Sequence, residues 1–505
     1  MSCLTANRAA LELHRRAVLV AAGALAGCSA GGAFLVQAPI LRIALEMAGW
    51  ALFLIVVLAG RKKKDGLLSG FVFGLSWFGF SLHWVFWSMY VYGGVPAVLS
   101  VFFTFLFCLL LSLFPALAAL VCGFFSSKTA KGLSFCALCV LSEWLRGRVL
   151  TGFPWASPGY AFLDSPFAGY APVLGDLGVF FSVLLFLLCL FAAWSVRGNK
   201  RRSFAFTAFA ALIVLGGLKL YETRFSEPYA RVTVCVVQPD FEMVEDLSAR
   251  LGKIESILKN VPRSDAVIFP ESALPALWEA VPEEKKALYA AAAQKNSGVF
   301  FFNAFGLRGP GRFANTVAVI DASGKELFYD KHHLVPFGEY VPFGFRWFVD
   351  LLGIPMADLQ AGSGTHTLYA GSHSFSLSLC YENLFSSEWF SDAGEGLPEA
   401  LVNMTNLKWF VTPVAPMQHL EISRMRALES SRPLIYAANT LKSALIDEKG
   451  RVSAGPLDGT GMLRGYVRTQ LGAPTPFVRL GSAPLLFVCL LILVFCFVLR
   501  RRQTL

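Results

Sequence analysis

Eight apolar stretches, each near the length that crosses a bilayer, constrain everything else in this 505-residue chain. A hydrocarbon core of about 30 Å takes roughly 20 residues of helix, and the stretches end at charges or at Pro and Gly. Seven fall at 17–36, 41–60, 66–91, 95–125, 130–146, 172–196 and 203–221, and the eighth at 483–499, ahead of Arg500, Arg501 and Arg502. An average soluble domain carries about 25% charged residues. This chain has 15%, with 55% hydrophobic, so it is not an ordinary water-soluble enzyme.

The formal charge of +10 invites a nucleic-acid reading until the basic residues are placed. Sixteen of the 44 sit in five short segments, 1–16, 61–65, 126–132, 197–202 and 500–505, which hold two acids, Glu12 and Asp65. Outside these the chain is net acidic. The basicity therefore belongs to membrane collars, and no nucleic-acid partner is expected. Counting turns from an internal N-terminus puts all five segments on one side, while the short loops opposite hold only Arg42, Arg146 and Arg148. That asymmetry predicts two cytoplasmic termini, with the charged region 221–480 outside the cytoplasm, in a bacterium the periplasm. Arg15, Arg16 and Leu25-Ala26-Gly27-Cys28 also fit a lipoprotein signal, but 31–36 stays apolar where a mature region would turn polar. A plain first span is favoured.

Past the seventh stretch the pattern becomes strand alternating with helix. The β-branched run 231–238 reads as a buried strand, with further strands at 266–269, 298–305, 316–320, 375–379, 400–404 and 434–438. Helices are expected at 246–260, 282–295 and 417–430. This alternation predicts an α/β layered domain of about 250 residues, large enough to fold alone. The expected division is a seven-helix membrane domain at 1–221, the external domain at 222–480, and a last helix with a basic tail at 481–505. Of eleven cysteines only Cys235 and Cys380 are external. A disulfide between them stays open as a reading, at the expense of a nucleophile. Cys136 and Cys139 read as small packing residues inside a span.

Three polar residues follow apolar runs, at strand ends where such folds place their chemistry. Glu271 follows Phe269-Pro270, Lys331 stands in Tyr329-Asp330-Lys331-His332-His333, and Cys380 closes a run ending at Leu379. A thiol needs a base and a cation for the developing oxyanion before it can transfer an acyl group. Each residue also has a plain reading, as a helix cap, a surface lysine and a buried strand cysteine, and spacing does not choose.

The surrounding residues do. Phe269-Pro270-Glu271-Ser272, the block Lys331-His332-His333-Leu334-Val335-Pro336-Phe337-Gly338-Glu339-Tyr340-Val341-Pro342, and Cys380-Tyr381-Glu382 resemble the catalytic blocks of the apolipoprotein N-acyltransferases. These belong to the carbon-nitrogen hydrolase, or nitrilase, superfamily. In the membrane half Glu143-Trp144-Leu145-Arg146 and Gly152-Phe153-Pro154-Trp155 are similar too, as is Gln418-His419-Leu420 further on.

The resemblance implies an αββα sandwich carried on eight transmembrane helices, with a Glu271-Lys331-Cys380 triad. It implies an acyl chain taken from the sn-1 ester of a phospholipid, with phosphatidylethanolamine expected, onto Cys380 as a thioester. The chain would then pass to the α-amine of a diacylglyceryl-cysteine apolipoprotein. Glu339, Tyr381 and Glu382 are expected to support or position, and His332 and His333 to be structural. No cofactor or metal is implied, since the thioester stores the activation. A monomer in the bacterial inner membrane is expected, and the apolar stretches 343–349 and 351–356 could serve as a lid. Two departures stand out. The family pattern Thr-Asn-Asp-x-Trp-Phe-Gly here reads Thr405-Asn406-Leu407-Lys408-Trp409-Phe410-Val411, and no Trp follows the first strand, where Phe241 is the candidate substitute. The competing readings are a membrane-tethered amidase acting on a small soluble amide, an inactive homologue, and a transporter. Transport is disfavoured because Glu46 and His83 are the main ionisable residues inside the stretches.

Overall fold

The computed structural model describes residues 2–351, 358–390 and 397–504. They form two compact units, one of Met1–Phe86, Pro96–Thr223 and Leu480–Leu505, the other of Trp87–Val95 with Arg224–Arg479.

The first unit is helical. Six helices among the described residues are long and apolar enough to cross a membrane, or seven if the pair Lys63–Ser81 and Val85–Tyr92, bent by 60°, counts as one span. The stretch expected at 66–91 is thus broken, with a ring nitrogen of His83 bonded back to the Phe80 carbonyl at the break. The stretch at 130–146 forms the helix Lys128–Arg146, but its Lys128, Lys131, Glu143 and Arg146 leave it less apolar than the others. Small residues set the packing. Gly23, Gly27 and Gly31 form a stripe on the helix Ser2–Ala33, where an added Cβ would strike the Ser69, Phe73 and Trp77 carbonyls. Gly66 and Gly70 do the same against the Ala119 and Pro115 carbonyls of the helix Ala97–Cys122, and Gly74 packs on its Pro115 ring and Ser112. Stripes at four-residue spacing let backbones approach closely where lipid supplies no hydrophobic drive. Trp50, Phe53, Phe73, Trp77 and Phe180 fill the centre, with Phe53 stacked on Phe73 at 4.0 Å.

The second unit holds two six-stranded sheets. The strands are β1 (Glu227–Gln238), β2 (Ala266–Ile268), β3 (Val299–Gly309), β4 (Arg312–Ile320), β5 (Glu326–Asp330), β6 (Thr367–Ala370), β7 (His373–Leu379), β8 (Ala400–Thr405), β9 (Leu434–Ala438), β10 (Leu441–Ile446), β11 (Val452–Asp458) and β12 (Gly461–Leu471). Their orders are β12-β1-β2-β3-β4-β5 and β11-β10-β9-β8-β7-β6. The centre of each sheet is parallel and its edges antiparallel.

Because side chains alternate faces along a strand, β1 sends Val232, Val234 and Val236 into one core and Cys235 and Val237 into another. The first core lies between the sheets, where Ile268, Phe301, Leu377, Leu379, Val402 and Ile435 meet. The second lies under the helices Leu247–Asn260 and Glu283–Asn296. On the far sheet Leu420 and Ala427 of the helix Val414–Ser430 cover Leu401, Leu434 and Tyr436. The layers therefore run α-β-β-α. Cys235 faces the outer helical layer, and both it and Cys380 are free thiols, so the disulfide reading is corrected. The strands β6, β10, β11 and β12 were not expected from the sequence. β11 and β12 carry polar, half-exposed residues and Gly, which hides them from a search for apolar runs.

Candidate active site

Each of the three candidate residues emerges from the end of a strand. Past β2 the backbone is sewn to β3: the Phe269 amide donates to the Phe301 carbonyl (3.0 Å) and the Ser272 amide to Asn303 Oδ1 (2.6 Å). Ser272 has φ +61°, in the left-handed region. That turn presents Glu271. Past β5, the Lys331 amide donates to the Asn315 carbonyl at 2.8 Å. Past β7, Cys380 itself has φ +48°. A non-glycine residue held there costs of order 1–3 kcal/mol, and persists only where its surroundings fix it.

Those surroundings centre on Glu382. Its carboxylate accepts from the backbone amides of Leu379 (2.6 Å), His332 (2.6 Å) and His333 (3.0 Å), and from the Tyr329 hydroxyl (2.9 Å). One side chain thus ties the cysteine turn to the lysine turn. Behind it His366 Nδ1 lies 3.2 Å from the Leu377 carbonyl, which can only accept, so Nδ1 carries the proton. His366 Nε2 then accepts from His332 Nδ1 at 2.8 Å. From the other side His419 Nε2 donates to the Cys380 carbonyl (3.1 Å), and Nδ1 accepts from the Tyr436 hydroxyl (3.0 Å). Burial pushes His419 down to about 4, so it works as a neutral ring.

Two carboxylates converge on Lys331. Its Nζ lies 3.3 Å from Glu271 Oε1 and 2.9 Å from Glu339 Oε1. Asn315 Nδ2 donates to the same two oxygens, at 3.1 and 2.8 Å. Asn303 Nδ2 holds the Asn315 oxygen at 2.7 Å, which fixes the amide with its donors toward the carboxylates. The other oxygen of Glu271 accepts the Asn406 amide at 3.0 Å. Burial works against the Lys331 ammonium, but Glu339 and Glu271 outweigh it and hold Lys331 above the ordinary lysine range. It is charged, and among the described residues two of its three N–H donors are engaged. The Cys380 thiol is raised by burial and by Glu271, against the pull of Lys331, so it rests protonated.

The structure therefore brings Glu271, Lys331 and Glu339 into contact and sets Cys380 within their field. Glu382 is bonded to the turns and not to the Lys331 ammonium. Tyr381 packs its ring against His333 (5.6 Å) and Phe385 (5.2 Å). Phe241 is buried among core residues with the Arg250 guanidinium over its ring, so it does not present an aromatic face as the missing Trp would. Of the expected lid, Phe343, Phe345, Trp347 and Leu351 are exposed, Val349 is buried, and 352–356 lie outside the described residues. Sequence reasoning missed Asn303, Asn315, Tyr329 and His366. Their partners are distant in sequence, and an isolated Asn in a strand carries no spacing signal.

Residues 29–189 match the apolipoprotein N-acyltransferase N-terminal domain, and residues 231–470 match the carbon-nitrogen hydrolase family. The apolipoprotein N-acyltransferase of Ralstonia nicotianae is 36% identical over 91% of this chain and 89% of its own length. Those of Methylococcus capsulatus and Nitrosomonas europaea are 35% and 33% identical, over 86% and 92% of this chain and 88% and 94% of their own lengths. With identity sustained across the helices and the sandwich alike, the chain belongs to the apolipoprotein N-acyltransferase family.

Proposed function

We propose that this protein moves an acyl chain from a phospholipid to the N-terminal α-amine of diacylglyceryl-cysteine apolipoproteins through a thioester on Cys380. The observation that carries the reading is the buried Lys331 ammonium between Glu271 and Glu339, beside a protonated thiol on a left-handed turn. Glu271 takes the Cys380 proton as sulfur attacks the sn-1 ester carbonyl of the donor, with phosphatidylethanolamine the expected one. The unengaged N–H of Lys331 stabilises the oxyanion. Collapse breaks the ester C–O bond, and Glu271 returns the proton to the departing lysophospholipid alkoxide. The acceptor amine then attacks the thioester, Glu271 carries its proton to the leaving sulfur, and an amide results. Glu339 orients Lys331, while Glu382 and Tyr381 hold the turn beneath the thiol.

Both substrates keep their tails in lipid, since withdrawing a chain costs about 0.8 kcal/mol per CH₂. Residues 1–221 and 481–505 accordingly serve as the membrane domain, with eight spans, and 222–480 as the catalytic domain. The basic collars support a bacterial inner-membrane enzyme with cytoplasmic termini and a periplasmic site, and the enzyme is proposed to act as a monomer. Purified wild type and Cys380→Ala, given phosphatidylethanolamine and a diacylglyceryl-cysteine peptide, test this by peptide mass and amine blocking. Wild type is expected to add one acyl group to the amine, and the variant none. Hydrolysis of a small amide without phospholipid would support the tethered-amidase reading instead.

A further inference from the structure

The turn 406–411, where the chain departs from the family pattern, touches the proposed base directly. Its first residue gives the backbone amide that bonds Glu271 Oε2. Its fold is strained. Val411 has φ +60° and ψ −42°, with the Thr412 amide bonded back to the Phe410 carbonyl at 2.5 Å. This is the rare γ-turn, and a β-branched residue is an outlier at positive φ. Something outside the turn must hold it.

Lys408 supplies the tie. Its Nζ lies 3.0 Å from Glu242 Oε2 and 3.3 Å from Asp240 Oδ1, on the turn that follows β1. These carboxylates outweigh the burial that opposes the ammonium and keep it charged. The two turns are also laced beneath it: the Asp240 amide donates to the Asn439 carbonyl, and Asn439 Nδ2 to Asn406 Oδ1 at 3.3 Å. The Lys408 amide donates to the same Asn406 oxygen at 3.3 Å. At the outer edge the Trp409 ring meets that of Tyr92 at 5.4 Å.

We infer that Lys408 is a positioning residue: by clipping the 406–411 turn to Asp240 and Glu242, it keeps the Asn406 amide seated on Glu271. The inference rests on the acyl-transfer reading above. Loosening the clip should withdraw the Asn406 amide and let the Glu271 carboxylate drift from its place beside Lys331 and Asn315, a misplacement felt in the rate of acylation.

The test uses full-length protein in mixed micelles with phosphatidylethanolamine. It follows single-turnover acylation of Cys380 against phospholipid concentration by intact mass, and hydrogen exchange of the 405–412 backbone. Lys408→Met is expected to slow acylation at saturating phospholipid between about ten- and a hundredfold with half-saturation unchanged, and to speed exchange at 405–412. Lys408→Arg should retain wild-type behaviour, and Asp240→Asn with Glu242→Gln should reproduce the Lys408→Met changes. Adding Val411→Gly to Lys408→Met relieves the strained turn and should recover up to about fivefold of the lost rate. Wild-type rate and exchange in Lys408→Met overturn the inference and leave the acyl-transfer reading intact. No acylation in the wild type overturns both.

Discussion

Two buried carboxylate–cation pairs, one in each unit, carry the same charges and do different things. In the helical unit Glu143 and Arg146 pair within one turn of a single helix. Arg146 also donates to the carbonyls of Phe153 and of Trp155 (2.8 Å) and lies over the Trp77 and Phe78 rings. The guanidinium is committed to both ends of a chain reversal. In the sandwich Glu271 and Lys331 come from separate strand ends, sixty residues apart in sequence. Among the described residues Lys331 spends two donors there and keeps the third, in the field of the Cys380 thiol. Burial of opposite charges is thus no mark of chemistry by itself. What distinguishes the second pair is a spare ammonium donor in the field of a thiol.

Replacing one partner in each pair gives the largest expected effects. Lys331→Met should cut acylation by about 10²–10³-fold or more, as for loss of an oxyanion donor. Arg146→Met strands a buried carboxylate and should cost about 3–5 kcal/mol of stability, read by thermal unfolding. The acylation rate of its folded fraction should stay at the wild-type value. A loss of chemistry in folded Arg146→Met would erase the contrast.

The pH response of His419 comes next. Its folded value, pushed down to about 4 by burial, lies below the ordinary 6.5, so the unfolded chain binds the proton more strongly. Its stabilising contribution is whole above pH 6.5 and is lost as the pH falls toward 4, by about 3 kcal/mol. Denaturant melts along that range should show the slope, and His419→Gln should flatten it. Glu382→Gln places an amide against three backbone donors and should cost about 1–3 kcal/mol while slowing acylation, by the same assays. The smallest effect is expected from Val411→Gly, a gain of less than about 1 kcal/mol as relief of the turn is offset by glycine's entropy.

The sequence was most legible where one local pattern decides the outcome. Apolar runs marked most of the helices to within a few residues, the first excepted, which begins at Ser2. They also marked β1, β8 and β9, buried on both faces, while β7 shows as an alternation of Ser with Phe and Leu. It was least legible at β11 and β12, whose half-exposed residues mix with Gly, and at the break after Ser81, which lies inside an unbroken apolar run. At the site the motif blocks pointed to Glu271, Lys331 and Glu339, which the structure brings into contact, and to Cys380 in their field. The Asn303–Asn315 ladder and the Tyr329–His366 chain were invisible, since their meaning depends on strand register and on residues dozens of positions away.

The most direct test places the two pairs side by side. Wild type, Lys331→Met and Arg146→Met are each mixed with phosphatidylethanolamine and no acceptor, quenched within one turnover, and the mass of the Cys380 peptide is measured. One acyl group on Cys380 in wild type and in folded Arg146→Met, with none in Lys331→Met, is the predicted result. Acylation of Lys331→Met at the wild-type rate would contradict it.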